Sequence, residues 1–148
     1  MPGVYFFSLD ATQPLAIWGA RTFFHLPYLR AEMSMEADGE ALRYRSTRTD
    51  PRAPPGTFTA RDGPNGPVVA AGAGSLEAFL TERDCLYTVN RAGEPLRGHI
   101  QPGPWPLPPA SRVLQDNTVI SVPIVPVGAP RVHFARRLDV VAWPLDRI

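Results

Sequence analysis

Lysine is absent from the 148 residues, so all fifteen basic side chains apart from histidine are arginine. Without lysine the chain can form no side-chain Schiff base, because that chemistry needs an amine able to lose its proton and a guanidinium cannot. Cysteine is nearly absent as well. The single Cys85 excludes an intrachain disulfide framework and a cysteine-based zinc cluster, and it fits a reducing, cytoplasmic compartment. Within Cys85-Leu86-Tyr87-Thr88-Val89 it reads as a small buried hydrophobe and not as a nucleophile. The three histidines, His25, His99 and His133, lie on separate elements with no His-x-x-x-His spacing, so no metal site is expected.

Other signals are missing too. No run approaches the roughly eighteen apolar residues of a membrane span, and Met1 to Asp10 lacks the basic start and small-residue cleavage site of a signal peptide. Fourteen acids balance the arginines to a net charge of +1, and the arginines are dispersed, with Arg136-Arg137 the longest run. Nucleic acid and anionic membranes are therefore not expected partners. There is no phosphate loop and no nucleophile elbow. Gly72-Ala73-Gly74 resembles a dinucleotide fingerprint only faintly, with no long strand before it and too short a helix after it. No cofactor is implied.

What the chain has in excess is proline, 18 of 148 residues, about 12% against a usual ~5%. With 44% apolar residues a sizeable core is available, so the prolines punctuate short strands and ordered loops of a single domain, residues 1–148. Val4 to Leu9 reads as a central strand with apolar groups on both faces. Pro14 to about Phe24 reads as a largely buried helix whose only charge is Arg21. Ala31 to Ala37 alternate strictly ahead of Asp38-Gly39, which predicts a hairpin with Ala37 opposite Glu40, Met35 opposite Leu42 and Met33 opposite Tyr44. A short strand, Thr57 to Ala60, is flanked by loops at Thr49 to Gly56 and Arg61 to Pro67. Ser75 caps a two-turn helix, Leu76 to about Arg83, with an apolar face of Leu76, Phe79 and Leu80. Cys85 to Asn90 and Leu96 to Gln101 form a second hairpin. Pro102 to Pro109 is a rigid crossover anchored by Trp105, Arg112 to Gln115 a strand, Val119 to Pro130 a proline-interrupted stretch, and His133 to Trp143 the last strong element. On that element Arg136 is a charge set in an apolar face.

Few residues offer chemistry. Glu82, in Glu82-Arg83-Asp84, could serve as a general acid or base if desolvated, although such runs are usually solvated helix ends. Arg21 and Arg136 must find a carboxylate or an anion if buried. An internal ion pair, with Asp139 or Glu77, is the plainer reading, and recognition of a ligand carboxylate the functional one.

Five stretches carry a family resemblance: Gly3-Val-Tyr-Phe-Phe-Ser-Leu-Asp10; Gly19-Ala-Arg21 with Leu26-Pro-Tyr28; Gly74-Ser-Leu-Glu-Ala-Phe-Leu-Thr-Glu-Arg83; Pro104-Trp-Pro-Leu107; and His133-Phe-Ala-Arg-Arg-Leu-Asp-Val-Val-Ala-Trp-Pro144. They resemble the YqjF-like proteins, a bacterial family of unknown function similar in fold to acetoacetate decarboxylase. The resemblance implies an α+β fold, mainly antiparallel β, with a barrel or double sheet, two or three short helices and a buried pocket. It places the decarboxylase's Schiff-base lysine at Tyr28 and the neighbouring lysine at Leu29, so the inherited mechanism is excluded. The pocket is what the resemblance leaves, with Arg21, Tyr28 and Arg136 as possible anion and hydroxyl contacts.

YqjF-like chains continue upstream of the Gly3-Val-Tyr-Phe motif. The expectation is therefore a C-terminal portion of the family's domain, incomplete at its N-terminus, with an open sheet edge that supports homo-oligomers. Three functional expectations follow. The first is binding of a small organic acid or carbonyl compound through Arg21, Tyr28, Glu82, His99, Trp105 and Arg136. The second is a non-Schiff-base lyase or hydrolase using Tyr28 with Glu82 or His99, and the third is a structural or assembly module.

Overall fold

The computed structural model describes residues 2–103, 105–120, 127–128 and 130–148. It is an α+β fold of two open sheets and two helices. β1 (Gly3–Tyr5), β6 (Cys85–Val89), β7 (Pro95–Pro102) and β9 (Val140–Arg147) form one sheet in that order. The other runs β2 (Leu9–Ala11), β3 (Tyr28–Asp38), β4 (Ala41–Arg48), β5 (Thr57–Pro64) and β8 (Ala110–Asn117). Only β1 with β6 and β2 with β3 pair in parallel, every other pairing being antiparallel. The expected double sheet is present, and among the described residues it does not close into a barrel. The helices are α1 (Pro14–Phe23) and α2 (Leu76–Thr81).

The expected central strand from Val4 to Leu9 is instead two three-residue edge strands, one in each sheet. The chain leaves the first sheet after Tyr5 and enters the second at Leu9, so the aromatic run is a crossover with Phe7 largely exposed. α1 begins at Pro14 as expected, because proline's fixed φ suits a first turn and its missing N–H would be unpaired there anyway. Its predicted burial fails. Only Ile17 is buried, while Leu15, Trp18 and Phe23 are exposed, Trp18 and Phe23 meeting edge to face at 5.5 Å. In α2 the Ser75 hydroxyl caps the Ala78 N–H at 3.1 Å as expected, and Leu76, Phe79 and Leu80 face outward.

The β3–β4 hairpin forms with a register two residues away from the expected one. Asp38 pairs with Ala41, Ala37 with Leu42, Met35 with Tyr44 and Met33 with Ser46. The turn is Gly39-Glu40, with Gly39 at φ +66°. Glycine takes that left-handed position at no cost, whereas a turn on Asp38-Gly39 would force Asp38 into it. A two-residue shift keeps every side chain on its face, so Leu29, Ala31 and Met33 still point inward. β5 runs through Pro64, converting most of the expected loop at Arg61 to Pro67 into strand. The second hairpin forms as expected, and in it Cys85 lies opposite His99 and Leu86 opposite Gly98.

In the crossover Leu107 is buried and Trp105 is 38% exposed, so Leu107 rather than Trp105 is the anchor. Pro104 and much of the stretch from Val119 to Pro130 lie outside the described residues. The last strand starts at Val140, later than expected, with Phe134 buried ahead of it.

Both long edge strands are irregular. In β8, Gln115 is an extra residue between Leu114 and Asp116, which pair with Ala60 and Thr59. In β9, Trp143 and Pro144 together oppose His99, because proline has no N–H for the ladder. Such bulges twist an edge away from further pairing.

Two predictions follow. Gly39→Val should cost about 1–2 kcal/mol in a denaturant melt, since a branched side chain is strained at that φ. Asp38 lies at 2.7 Å from the Arg61 guanidinium and 3.6 Å from that of Arg43. The hydrogen bond and charge of Arg61, helped by Arg43, hold its carboxyl below the ordinary 3.8. A depressed carboxylate contributes stability above its unfolded pKa and loses it as the pH falls through the folded value. The gap in melting temperature between wild type and Asp38→Asn should therefore hold from neutrality to about pH 5 and close below about pH 4.

Candidate functional site

One face of β3, β4 and β5 sets out two rows of side chains, Met33–Ser46–Phe58 and, toward the hairpin tip, Met35–Tyr44–Ala60, with Met35 itself exposed. The alternation of strand residues puts them there, since side chains two apart share a face. Above these rows lie Ser8, Leu9 and Asp10, brought in by the crossover from β1 to β2, and Val119. Together with Met33, Tyr44, Ser46 and Phe58 they line a recess of about 220 Å³.

Beside it lies a buried ion pair. The Arg48 side chain is 2% exposed and that of Asp10 11%. Arg48 Nε donates to Asp10 Oδ1 at 2.9 Å and Nη2 to Oδ2 at 3.3 Å, a fork on one carboxylate. Arg48 Nη2 also donates to the Val119 carbonyl at 3.2 Å and Nη1 to that of Pro54 at 3.4 Å. The cation is thus neutralised and tied to four oxygens. Tyr44 stacks obliquely on Phe58, centroids 5.9 Å apart, and its hydroxyl reaches only the Met33 sulfur, at 3.4 Å. The Ser46 hydroxyl, in a residue 3% exposed, has no hydrogen-bond partner among the described residues. An unpaired buried hydroxyl costs about 1–3 kcal/mol, so it calls for an occupant.

The six residues singled out from the sequence do not share one site. Arg21 is held by structure: its Nη2 donates to Asp50 at 2.8 Å, and Nε donates to the Tyr28 carbonyl at 2.7 Å, with Nη2 bonding the same oxygen. The internal pair foreseen for Arg21 exists with Asp50 as its partner; Asp139 and Glu77 pair with Arg137 and Arg131. Asp50, with a side chain 5% exposed, also accepts from the Arg30 amide at 2.9 Å and from Arg52 at 2.6 Å. Tyr28 enters this network through its carbonyl.

Arg136 is exposed, not embedded in an apolar face. Glu82 and Trp105 line a separate cavity of about 460 Å³ with Asp84. His99 lies in another, of about 700 Å³, formed at the β9 bulge with Asp84, Trp143 and Asp146. The recess residues Asp10, Tyr44 and Ser46 were missed, together with Arg48. In the sequence Arg48 closes the run Arg43-Tyr-Arg-Ser-Thr-Arg48, whose polar character gave no sign that its end is buried. Among the described residues no three His, Cys, Asp or Glu side chains gather as a metal site, and no helix is long and apolar enough to cross a membrane.

The chain belongs to the DUF2071 family, described as an uncharacterized conserved protein, which it matches over residues 1–139. It is 41% identical over 151 aligned residues to the uncharacterized protein YqjF of Bacillus subtilis (strain 168). That alignment covers 99% of this chain and 60% of the relative, so the chain spans less than two thirds of the relative's length. The YqjF-like resemblance read from the five motifs is borne out.

Arg48→Met should destabilise the fold by about 3–5 kcal/mol in urea, because Asp10 is left as a buried charge without its partner. The double variant Asp10→Leu/Arg48→Met should recover most of that loss; a double variant as unstable as the single one would show that the pair is not the source.

Proposed function

We propose that this chain binds a small organic molecule in the recess on the inner face of the five-stranded sheet, without Schiff-base chemistry. The observation that carries this reading is the buried Ser46 hydroxyl, without a partner among the described residues, in a residue that lines the recess together with Leu9, Met33, Phe58 and Val119. A pocket of mostly apolar walls with a few placed polar groups is the usual form of a small-molecule site. The proposal takes residues 1–148 as one domain and places it in the cytoplasm, in keeping with the single buried cysteine.

Two other readings rank lower. A lyase or hydrolase joining Tyr28 to Glu82 or His99 needs two titratable groups at one spot, and these three do not line a common cavity. A purely structural module accounts for the internally paired Arg21 and leaves Ser46 unexplained. Homo-oligomers through an open edge would have to overcome the bulges of β8 and β9.

Thermal melts of the purified chain against small acids, amides, aldehydes and ketones test the proposal, since a ligand that binds only the folded state raises the melting temperature. Ser46→Ala should leave the ligand-free melt unchanged or raise it by a few degrees, because it removes an unpaired buried hydroxyl, and it should shrink any ligand-induced rise at a fixed ligand concentration. A ligand-induced rise that is undiminished in Ser46→Ala would remove the recess from consideration.

A further inference from the structure

Resting on that binding site, we infer its ligand class: a neutral molecule that presents one strong acceptor oxygen, such as a ketone, aldehyde or amide, and not a carboxylate. The sequence left acids and carbonyl compounds equally open, because arginines seemed available to receive an anion. The structure removes those arginines. Arg48, the cation next to the recess, has its charge offset by Asp10 and its donors directed at Asp10, Val119 and Pro54. Arg21 is committed to Asp50 and the Tyr28 carbonyl, and among the described residues neither it nor any other arginine lines the recess. Among the described residues, the one charged residue that does line it is Asp10. An incoming carboxylate would lose its hydration, meet no unpaired cation and face a like charge, which is unfavourable on every count.

A neutral carbonyl meets the opposite conditions. Ser46 and Tyr44 sit two apart on β4, so their side chains project from the same face, and both residues line the recess. Ser46 has an O–H with nothing to bond, and Tyr44 gives its O–H to a thioether sulfur, a weak acceptor. Exchanging that sulfur for a carbonyl oxygen costs little and gains a normal O–H···O bond. Two hydroxyl donors on one oxygen match the two lone pairs of a carbonyl, while the alkyl part of the ligand lies against Met33, Phe58 and Leu9. Tyr44 is thus the residue that sets selectivity, and Ser46 anchors.

The test is titration calorimetry of the purified full chain with three probes of matched size: pentan-2-one, butanamide and butanoate. The two neutral probes should bind at least tenfold more tightly than butanoate at pH 7. Tyr44→Phe and Ser46→Ala, checked for unchanged melting, should each weaken pentan-2-one binding about five- to tenfold, and Tyr44→Phe should narrow the gap to butanoate. If butanoate binds as well as or better than the ketone, and Ser46→Ala weakens it, the ligand class is wrong while the recess stands as the site. If no probe binds up to 50 mM, taken as roughly the weakest affinity of interest, both the class and the site fall. Neutral probes that bind equally to wild type and both variants overturn the two-hydroxyl recognition.

Discussion

Arg48 and Asp10 make the interaction on which the inner face of the larger sheet depends. Thirty-eight residues apart in sequence, they meet with Arg48 almost wholly enclosed, and each would be untenable there without the other. A buried guanidinium needs both a countercharge and acceptors for its N–H groups, and Asp10, Pro54 and Val119 provide them. The pair thereby draws together β2, the end of β4, the loop after it and the chain that follows β8. It also explains why the short strand β2, only three residues long, keeps its place at a sheet edge.

The same constraint shapes the recess. Because the ion pair uses up its own charges, the neighbouring space is polar without being cationic, and the hydroxyl-bearing residues that line it are Ser8, Tyr44 and Ser46. A second network does similar work at the start of β3. Asp50 collects Arg21, Arg30 and Arg52 and so ties the last turn of α1 to the loop after β4. A chain whose basic side chains are all arginine suits both arrangements, since the planar fork of a guanidinium meets carboxylate geometry in a way an ammonium cannot.

Much of the fold was legible locally. Pro14 opens a helix, Ser75 caps one, and the alternation from Ala31 to Ala37 gives a half-buried strand, because each of these signals acts within a few residues. The hairpin register failed by two residues for a local reason as well, the preference of Gly39 for the left-handed position. What was not legible was burial. The apolar composition of α1 is compatible with a core or a surface, and the outcome depends on what lies over it. The same holds for Arg136, whose apolar neighbours in sequence do not enclose it in space.

The sequence by itself determined the chemistry that is unavailable: with no lysine and one cysteine, neither a side-chain Schiff base nor a thiolate metal cluster can be built, whatever the fold. It also determined the family and the α+β class, because those rest on contiguous motifs and short-range periodicity. Only the tertiary structure decided which arginines are spent and which buried polar atoms, Ser46 Oγ and Arg97 Nε, are left over. Ion pairing and desolvation are set by residues far apart in the chain, as Asp10 is from Arg48 and Arg21 from Asp50, and no spacing along the sequence encodes those meetings.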